Sequence, residues 1–241
     1  MQFSPPLVSA TLLRRYKRFL ADVVMPDGRE ITVHCPNTGS MKNCIVAGSE
    51  CYLYDSNNPK RKYRYGWELA TTPCGGVAGI NTGRANALVV EAIESGRLEE
   101  LQGYKTLQRE QKYGDEGSRI DILLSTGEDK CFVEDKCFVE VKSVTLAVEG
   151  RRGCFPDSVS VRASKHLREL MSVKSQGHRA VLLYCVQHTG IDSVSPADDI
   201  DPHYGVLLRE ASMVGVELFA YRAAITVEGI ILQQRLPVVL D

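Results

Sequence analysis

The sequence predicts an α/β (α+β) protein in which a small β-barrel, residues 1–80, precedes a larger mixed-sheet α/β domain, residues 81–241. Three observations predict this fold class. The first third of the chain contains several short strand-like segments separated by turn residues, and it has no convincing helical pattern. Beyond residue 80, amphipathic helices alternate with strands. The segment RAVLLYCV, residues 179–186, is apolar throughout, which is typical of a strand covered on both faces.

The barrel is predicted from its strands and turns. Residues 15–24 are strand-like, Pro26-Asp27-Gly28 favours a turn, and residues 30–34 form the returning strand. Further strands are expected at residues 50–54 and 67–72. Residues 1–80 also carry ten Lys and Arg against six Asp and Glu. Short strands with an excess of positive charge favour a barrel of the oligonucleotide-binding type.

The second domain begins near Asn81, which precedes a segment with helical apolar spacing that ends at Gly96. Its remaining elements follow from hydrophobic periodicity. The expected strands span residues 107–113, 119–124, 137–145, 179–186 and 216–221, and the expected later helices span 160–174 and 202–214.

Composition restricts the class of protein. The hydrophobic fraction of 44% and the charged fraction of 24% are ordinary for a soluble globular protein. No apolar segment approaches the roughly 20 residues of a membrane helix, and no signal peptide is evident. We therefore expect a cytoplasmic protein without a membrane partner. Its eight cysteines lack C-x-x-C spacing and have no histidine at ligand spacing, so we expect buried thiols and no structural metal.

The most informative segment is GEDKCFVEDKCFVEVKSV, in which the hexad EDKCFV occurs twice in tandem. Residues two apart on a strand share a face, so the Glu and Lys of a Glu-x-Lys triplet project together. The segment contains three such triplets: Glu128/Lys130, Glu134/Lys136 and Glu140/Lys142. Because the hexad has an even period, a slip by one copy would preserve the alternation of faces.

The residue between the two charges distinguishes the triplets. Val141 suits the covered opposite face of an inner strand, whereas Asp129 or Asp135 would bury a carboxylate there. We therefore assign the site to Glu140 and Lys142 and expect the extra hexad to lengthen the hairpin that precedes them. Asp121, in SRIDILL on the preceding strand, can reach the same side if the pairing register brings it level.

Two carboxylates and a lysine are suited to phosphodiester cleavage. Asp121 and Glu140 can hold Mg²⁺ or Mn²⁺ through oxygen ligands, and Lys142 can orient or polarise the attacking water. The alternative is an ordinary solvated ion pair, since Glu-x-Lys is common on exposed strands. Glu110 is a candidate third carboxylate, with Glu91 as its rival.

The chain resembles the sugar fermentation stimulation protein family. The resemblance covers essentially the whole chain and is carried by six motifs in order: LLRRYKRFLADV, HCPNTGSM, SRIDILL, CFVEVKSVTL, FPDSVS and KHLRELM. It implies an OB-like barrel followed by a PD-(D/E)xK nuclease-like domain, with Asp121, Glu140 and Lys142 at the nuclease-like positions. It also implies a DNA-binding protein linked to regulation of sugar, notably maltose, metabolism. The departure from the family pattern is the hexad, since removal of residues 128–133 restores the expected hairpin length.

Several basic residues are candidate contacts to DNA or another nucleic acid. Tyr63, Tyr65 or Trp67 could offer stacking faces beside them, and His166 could contact the scissile phosphate. The alternative is a solvated basic surface. The candidate cations are Arg14, Arg15, Lys17, Arg18, Lys60, Arg61 and Lys62 in the barrel and Lys165 on the helix after the site. Residues 37–40 are expected to form a turn, where a ligand contact is also possible.

Two functions remain open at this level. The first is a Mg²⁺- or Mn²⁺-dependent nuclease. The second is a non-catalytic DNA-binding regulator that retains a nuclease fold as a scaffold. A metabolite-binding domain is disfavoured, because the sequence contains no phosphate-cradling G-x-x-x-x-G-K-[ST] loop. The sequence does not indicate an oligomeric state.

Overall fold

The computed structural model describes residues 1–114, 117–127 and 135–241. The first part of the chain forms strands in the order β3-β2-β1-β4-β5-β6, and β3 returns to β5 to close a five-stranded barrel. The predicted OB-like barrel is confirmed. Its strands are β1 (Val8–Tyr16), β2 (Leu20–Val24), β3 (Glu30–His34), β4 (Glu50–Asp55), β5 (Tyr65–Thr71) and β6 (Val77–Gly79).

Two expectations for the barrel were wrong. Residues 15–24 are not one strand, because Lys17 and Arg18 adopt positive φ angles of 50° and 64° and turn the chain between β1 and β2. Trp67 cannot offer a stacking face to a ligand. It is 0% exposed in the barrel core, and its indole N–H donates a 2.9 Å hydrogen bond to the carbonyl oxygen of Leu69.

The second part of the chain forms a mixed sheet with strand order β15-β14-β12-β9-β8-β7, in which β12 runs parallel to β9 and β14. A small sheet, β10-β11-β13, lies beside it. The elements are α1 (Ala85–Glu94), β7 (Thr106–Tyr113), β8 (Ser118–Ser125), β9 (Lys136–Val144), β10 (Leu146–Val148), β11 (Arg152–Phe155), α2 (Val161–Ser175), β12 (Arg179–Val186), β13 (Ser193–Pro196), α3 (Pro202–Met213), β14 (Glu217–Ile225) and β15 (Ile230–Leu236).

Helices cover both faces of the mixed sheet. Val139 and Val141 of β9 belong to an apolar cluster with Leu88 of α1, whereas Phe138 belongs to a cluster with Leu167 of α2. Alternate residues of β9 therefore face opposite layers, as the period of a strand requires. This arrangement places Glu140 and Lys142 on the α2 side.

The barrel packs directly against the second domain. The side-chain amide of Asn43 donates a 2.7 Å hydrogen bond to the carbonyl oxygen of Ala147, and the thiol of Cys44 donates to the carbonyl oxygen of Thr145 at 3.1 Å. The described cysteines are all free thiols, and Cys74 is the one exposed thiol among them. In the same ranges of the chain, no helix is both long enough and apolar enough to cross a membrane.

Candidate active site

Asp121 and Glu140 lie level with each other on neighbouring strands. β8 and β9 are antiparallel, and their ladder ends where Ile122 lies opposite Val139. The next residues on the two strands are Asp121 and Glu140. The backbone N–H of Val141 then donates a 2.8 Å hydrogen bond to Oδ2 of Asp121. The register therefore brings the two predicted carboxylates to the same end of the ladder.

The residue between Glu140 and Lys142 is covered, as the assignment of the site to this triplet requires. Val141, between the two charges, is 7% exposed and packs in the cluster that contains α1. Asp135, which has the corresponding position in the preceding triplet, is exposed. Glu128, Asp129, Lys130 and Glu134, which belong to the two preceding triplets, lie outside the described residues.

The two oxygens of the Glu140 carboxylate have different surroundings. Oε1 accepts a 2.7 Å hydrogen bond from Nζ of Lys142 and another from Nδ1 of His166. Oε2 is buried and has no hydrogen-bond partner in the described part of the chain. Burial raises the pKa of Glu140, but the hydrogen bond from His166 and the charge of Lys142 together outweigh it and hold the pKa below its ordinary value. Glu140 is therefore an ionised carboxylate with one unpaired oxygen.

Asp121 is hydrogen-bonded to a side chain of helix α1. Its Oδ1 accepts a 2.8 Å hydrogen bond from the side-chain amide of Asn86. Burial, followed by the negative charge of Glu140, raises the pKa of Asp121 above its ordinary value. The two carboxylates thus repel each other, and a cation that contacts both would relieve this repulsion.

Helix α2 supplies the third side of the site. It begins after Ser160, whose hydroxyl accepts a 3.1 Å hydrogen bond from the N–H of Ala163 in an N-cap. An ionised carboxylate can only accept, so Nδ1 of His166 carries the proton that it shares with Glu140. Nε2 of the same ring then accepts a 3.4 Å hydrogen bond from Nε of Arg162. The two contacts specify one tautomer of the ring.

A cavity of about 460 Å³ opens at these side chains. Its lining comes from both parts of the protein, so the candidate site lies between the barrel and the second domain. The barrel contributes Arg18, Asn37, Thr38 and Gly39, and the polar residues from the second domain are Thr82, Asn86, Asp121, Glu140, Lys142, Ser143, Thr145, Asp157, Ser158 and Arg162.

The barrel segment that lines the cavity is held by hydrogen bonds to the second domain and to the rest of the barrel. The N–H of Ser40 donates a 2.7 Å hydrogen bond to Oδ2 of Asp157 in the second domain. Inside the barrel, the guanidinium of Arg15 donates at 2.7–2.9 Å to the carbonyl oxygens of Arg18, Asn37 and Gly39. The N–H of Gly39 also donates a 2.8 Å hydrogen bond to Oδ1 of Asn37, which is the expected side-chain to backbone turn, and residues 37–39 line the cavity.

The donor set fits a hard divalent cation that takes few ligands from the protein. The carboxylates of Asp121 and Glu140 offer oxygen ligands, including the unpaired Oε2 of Glu140. No group of three or more His, Cys, Asp or Glu side chains that could hold a metal ion occurs among the described residues. Mg²⁺ is commonly held by one or two carboxylates together with water and substrate phosphate. The residues present therefore fit a hard divalent cation whose coordination is completed by water and substrate oxygen atoms.

The secondary carboxylate candidates lie away from this cavity. Glu110, on β7, is exposed, has a positive φ of 56° and is not among the lining residues. Glu91 forms ion pairs with the N-terminal ammonium at 2.8 Å and with Arg97 at 3.6 Å. Lys165 is half-buried on α2 and also does not line the cavity.

The predicted basic residues of the barrel occupy two regions. Residues 60–62 are exposed in the connection between β4 and β5, and none of them lines the cavity. The other group lies at the turn between β1 and β2. Arg14 pairs with Asp22 at 2.8 Å, Lys17 is exposed, and Arg18 lines the cavity. The structure therefore brings one of these cations, Arg18, to the carboxylate pair.

Sequence reasoning missed three side chains that complete the site. Asn86 supports Asp121 from α1, Arg162 supports His166 from α2, and Asp157 anchors the barrel loop. Asn86 was detectable as a polar residue within the first turn of an otherwise apolar helix pattern. The contacts of Arg162 and Asp157 depend on long-range packing, for which no local pattern exists.

Comparison with known proteins identifies relatives over the whole chain. A family model described as the sugar fermentation stimulation protein RE domain matches residues 83–229, and another, described as the SfsA N-terminal OB domain, matches residues 13–80. A sugar fermentation stimulation protein homolog from Teredinibacter turnerae is 68% identical, with 100% of both chains covered. The homolog from Saccharophagus degradans is 59% identical, with 99% of this chain and 100% of the relative covered. The solved structure of Pyrococcus furiosus SfsA in complex with Ca²⁺ is 29% identical, has a TM-score of 0.83 and covers 99% of each chain.

Proposed function

The chain belongs to the sugar fermentation stimulation protein family, and we propose that it is a DNA-binding protein with a divalent-metal-dependent nuclease site of the PD-(D/E)xK type. One observation carries this proposal. Glu140 is an ionised, buried carboxylate, and one of its oxygens has no hydrogen-bond partner among the described residues, at a cavity that is also lined by Asp121 and Lys142. An unpaired buried carboxylate oxygen is costly unless it serves a ligand.

Each side chain of the site has a distinct role in the proposed phosphodiester hydrolysis. Mg²⁺ or Mn²⁺, when bound, supplies positive charge that activates water and neutralises the phosphate. Asp121 and Glu140 hold that cation. Lys142 projects from the same strand face as Glu140, and its ammonium can orient the attacking water and stabilise negative charge on the phosphate. His166 holds Glu140 in position through Oε1 and leaves Oε2 available.

The relative with a bound cation supports the metal part of the proposal. Ca²⁺, described in complex with the Pyrococcus furiosus protein, is a hard cation that takes oxygen ligands. The two carboxylates of this chain present oxygens of that kind. Selectivity for Mg²⁺ or Mn²⁺ over Ca²⁺ in catalysis is expected because the smaller ions polarise water more strongly.

The barrel supports nucleic acid as the partner. Its residues 1–80 are net basic, whereas the remainder of the chain carries nineteen Lys and Arg against twenty-four Asp and Glu. OB-type barrels commonly bind oligonucleotides, and a basic surface attracts the phosphate backbone. DNA is the partner that we propose.

The second candidate is a non-catalytic DNA-binding regulator of sugar, notably maltose, metabolism. It is favoured by the position of Lys142, whose Nζ donates a 2.7 Å hydrogen bond to Oε1 of Glu140. A lysine held in such an ion pair can serve stability alone. In that case DNA binding would fall with rising salt and would not respond to a chelator.

A cleavage assay separates the two functions. The purified protein would be incubated with single-stranded, duplex and branched DNA and with RNA, in Mg²⁺ or Mn²⁺. The variants would be Glu140→Gln and, as a control, Glu94→Gln, which alters an exposed carboxylate on α1. The nuclease proposal predicts that the wild type and Glu94→Gln cut at least one substrate, while Glu140→Gln binds it without cutting. Binding without cleavage by the wild type in every combination would favour the regulator.

A further inference from the structure

Exposed apolar residues flank the cavity lining in the sequence. The described part of the chain has seven exposed large hydrophobic residues, and three of them are next in sequence to residues of the cavity lining. Phe19 is 46% exposed and follows Arg18 of the barrel. Val159 is 72% exposed and follows Ser158, and Val161 is 81% exposed and precedes Arg162, both in the second domain. Each of the two walls therefore has an exposed apolar residue next to one of its lining residues.

The same two walls each carry a cation. The guanidinium of Arg18 has no hydrogen bond or ion pair among the described residues, and Arg18 is exposed. Arg162, on α2, is also exposed and donates to the ring of His166. By contrast, Arg14 and Arg29 of the barrel are paired with Asp side chains. Arg18 is therefore free to contact an anion, and Arg162 can do so through Nη1 and Nη2, since its bond to His166 uses only Nε.

The barrel wall is held in a defined conformation. Arg18 has a positive φ of 64°, and its carbonyl oxygen accepts a 2.7 Å hydrogen bond from Arg15. The carbonyl oxygen of Phe19 accepts a 2.8 Å hydrogen bond from the N–H of Cys35. The exposed Phe19 ring is therefore presented by a fixed backbone. Such preorganisation lowers the entropic cost of binding.

The depth of the carboxylates restricts the form of the substrate. Glu140 is 2% exposed, and the cavity above it measures about 460 Å³, which is the size of pocket that holds a small organic molecule. A phosphodiester within a base-paired duplex is held on a stiff, convex surface. A single strand is flexible enough to enter a cavity walled by two domains. Proteins that bind single strands combine cations with aromatic residues on which bases stack.

We propose that this cavity admits a single nucleic-acid strand, with Phe19 stacking on a base and Arg18 and Arg162 contacting phosphates on opposite walls. The inference rests on the proposed function, since it names the substrate class for the same site. It also makes the turn between β1 and β2, rather than residues 60–62, the main barrel contact.

Binding in Ca²⁺ tests the inference independently of cutting. Fluorescence anisotropy would compare a labelled oligothymidylate, the same strand with abasic positions at its centre, and a hairpin duplex. The variants would be Phe19→Ala, Phe19→Trp, Arg18→Ala and Arg162→Ala. Val227→Ala, an exposed apolar residue in the turn between β14 and β15, and Arg29→Ala are the matched controls.

The expected pattern is specific. The single strand binds at least about 10-fold more tightly than the duplex, and Phe19→Ala weakens this binding roughly 10-fold but leaves the abasic strand unaffected. Phe19→Trp retains binding, and the two arginine variants weaken binding to both strands.

Equal affinity for duplex and single strand, or an equal effect of Phe19→Ala and Val227→Ala, would overturn the inference. If the expected binding pattern occurs without any cleavage in Mg²⁺ or Mn²⁺, the strand site stands and the nuclease proposal fails. If the wild type and Phe19→Ala cut duplex equally well, the nuclease stands and this inference fails.

Discussion

The carboxylate of Asp121 accepts a 2.8 Å hydrogen bond from the backbone N–H of Val141, the residue that separates Glu140 from Lys142. This bond joins β8 and β9 at the candidate site. A slip of β9 that replaced this triplet with another would place a different amide opposite Asp121 and move Val141 out of the core beneath α1. The contact therefore links the register of the sheet to the choice of Glu140 and Lys142 as the candidate site residues.

Deletion of residues 128–133 is expected to preserve the fold and the site. Ser125 lies opposite Lys136, and the N–H of Thr126 donates a 3.1 Å hydrogen bond to the carbonyl oxygen of Asp135. The deletion would leave Gly127 and Glu134 as a two-residue connection. Glycine is favoured at the first position of a type II′ hairpin turn, and Gly127 already has a positive φ of 79°.

Thermal denaturation of the deletion variant and the wild type tests the fold, and the cleavage assay tests the site. Because the hexad is repeated, deletion of residues 134–139 encodes the same protein. We expect a melting temperature within roughly 4 °C of the wild type, which corresponds to about 1 kcal/mol for a chain of this size. An aggregated or unfolded variant would show that the extra hexad is required for the hairpin.

Replacement of Arg15 is expected to destabilise the barrel far more than replacement of its neighbour Arg14. Arg15 donates to three backbone carbonyl oxygens at 2.7–2.9 Å, whereas Arg14 forms an exposed ion pair with Asp22. Arg15→Ala should lower the free energy of unfolding by about 2–4 kcal/mol, since it leaves several acceptors unpaired. Arg14→Ala should change stability little, because an exposed ion pair contributes little to folding. Urea denaturation measures both, and equal losses would contradict this role for Arg15.

His188 is expected to make the protein sensitive to mild acid. The ring is 2% exposed, its Nδ1 accepts a 2.9 Å hydrogen bond from the N–H of Gly190, and burial lowers its pKa from 6.5 to about 4. Below pH 6.5 the unfolded chain therefore binds a proton that the folded chain does not bind until about pH 4. The free energy of unfolding should fall by up to about 3 kcal/mol as the pH drops through this window.

Urea denaturation at several pH values between 7 and 4 tests this prediction. His188→Gln should remove this part of the acid sensitivity, whereas His203→Gln, at an exposed position on α3, should not. Identical pH dependence in the wild type and His188→Gln would contradict the assignment.

His166 is expected to act as a positioning residue for the metal ligand Glu140. Its Nδ1–H holds Oε1 and leaves Oε2 available for a cation. Groups that orient a metal ligand typically contribute 10- to 100-fold to metal affinity. His166→Ala should therefore weaken Mn²⁺ binding by roughly 10-fold or more in a calorimetric titration. His166→Gln, which retains an N–H donor, should recover part of the affinity, and His203→Ala should have no effect. If His166→Ala bound Mn²⁺ with unchanged affinity, His166 would not be a positioning residue for Glu140.

Local patterns were sufficient for most of the fold. Helical spacing predicted α1, α2 and α3, and apolar or alternating runs predicted the main strands of both sheets. The short strands β6, β10, β11 and β13 were missed because three or four residues carry too little periodicity. β15 was missed because three consecutive polar residues in its second half, Gln233, Gln234 and Arg235, interrupt both an apolar run and an alternating pattern.

The candidate site was predictable only in part. The alternation of faces selected Glu140 and Lys142, because Val141 is the one intervening residue that suits a covered face. The partners of these residues come from distant segments. Asn86, Asp157 and the turn at Arg18 reach the cavity through packing between the barrel and the second domain, which no local pattern records. Trp67 was wrongly expected to offer a stacking face, because the aromatic character of a residue does not show whether it lies in the core or on the surface.

The most direct test of the account is the position of a bound metal. Crystals grown with Mn²⁺ would be measured near the manganese absorption edge, for the wild type and for Glu140→Gln. We expect an anomalous peak between the carboxylates of Asp121 and Glu140 in the wild type and its loss or marked weakening in the variant. A peak at Glu134 would contradict the assigned register, and the absence of any peak between Asp121 and Glu140 would contradict the metal site itself.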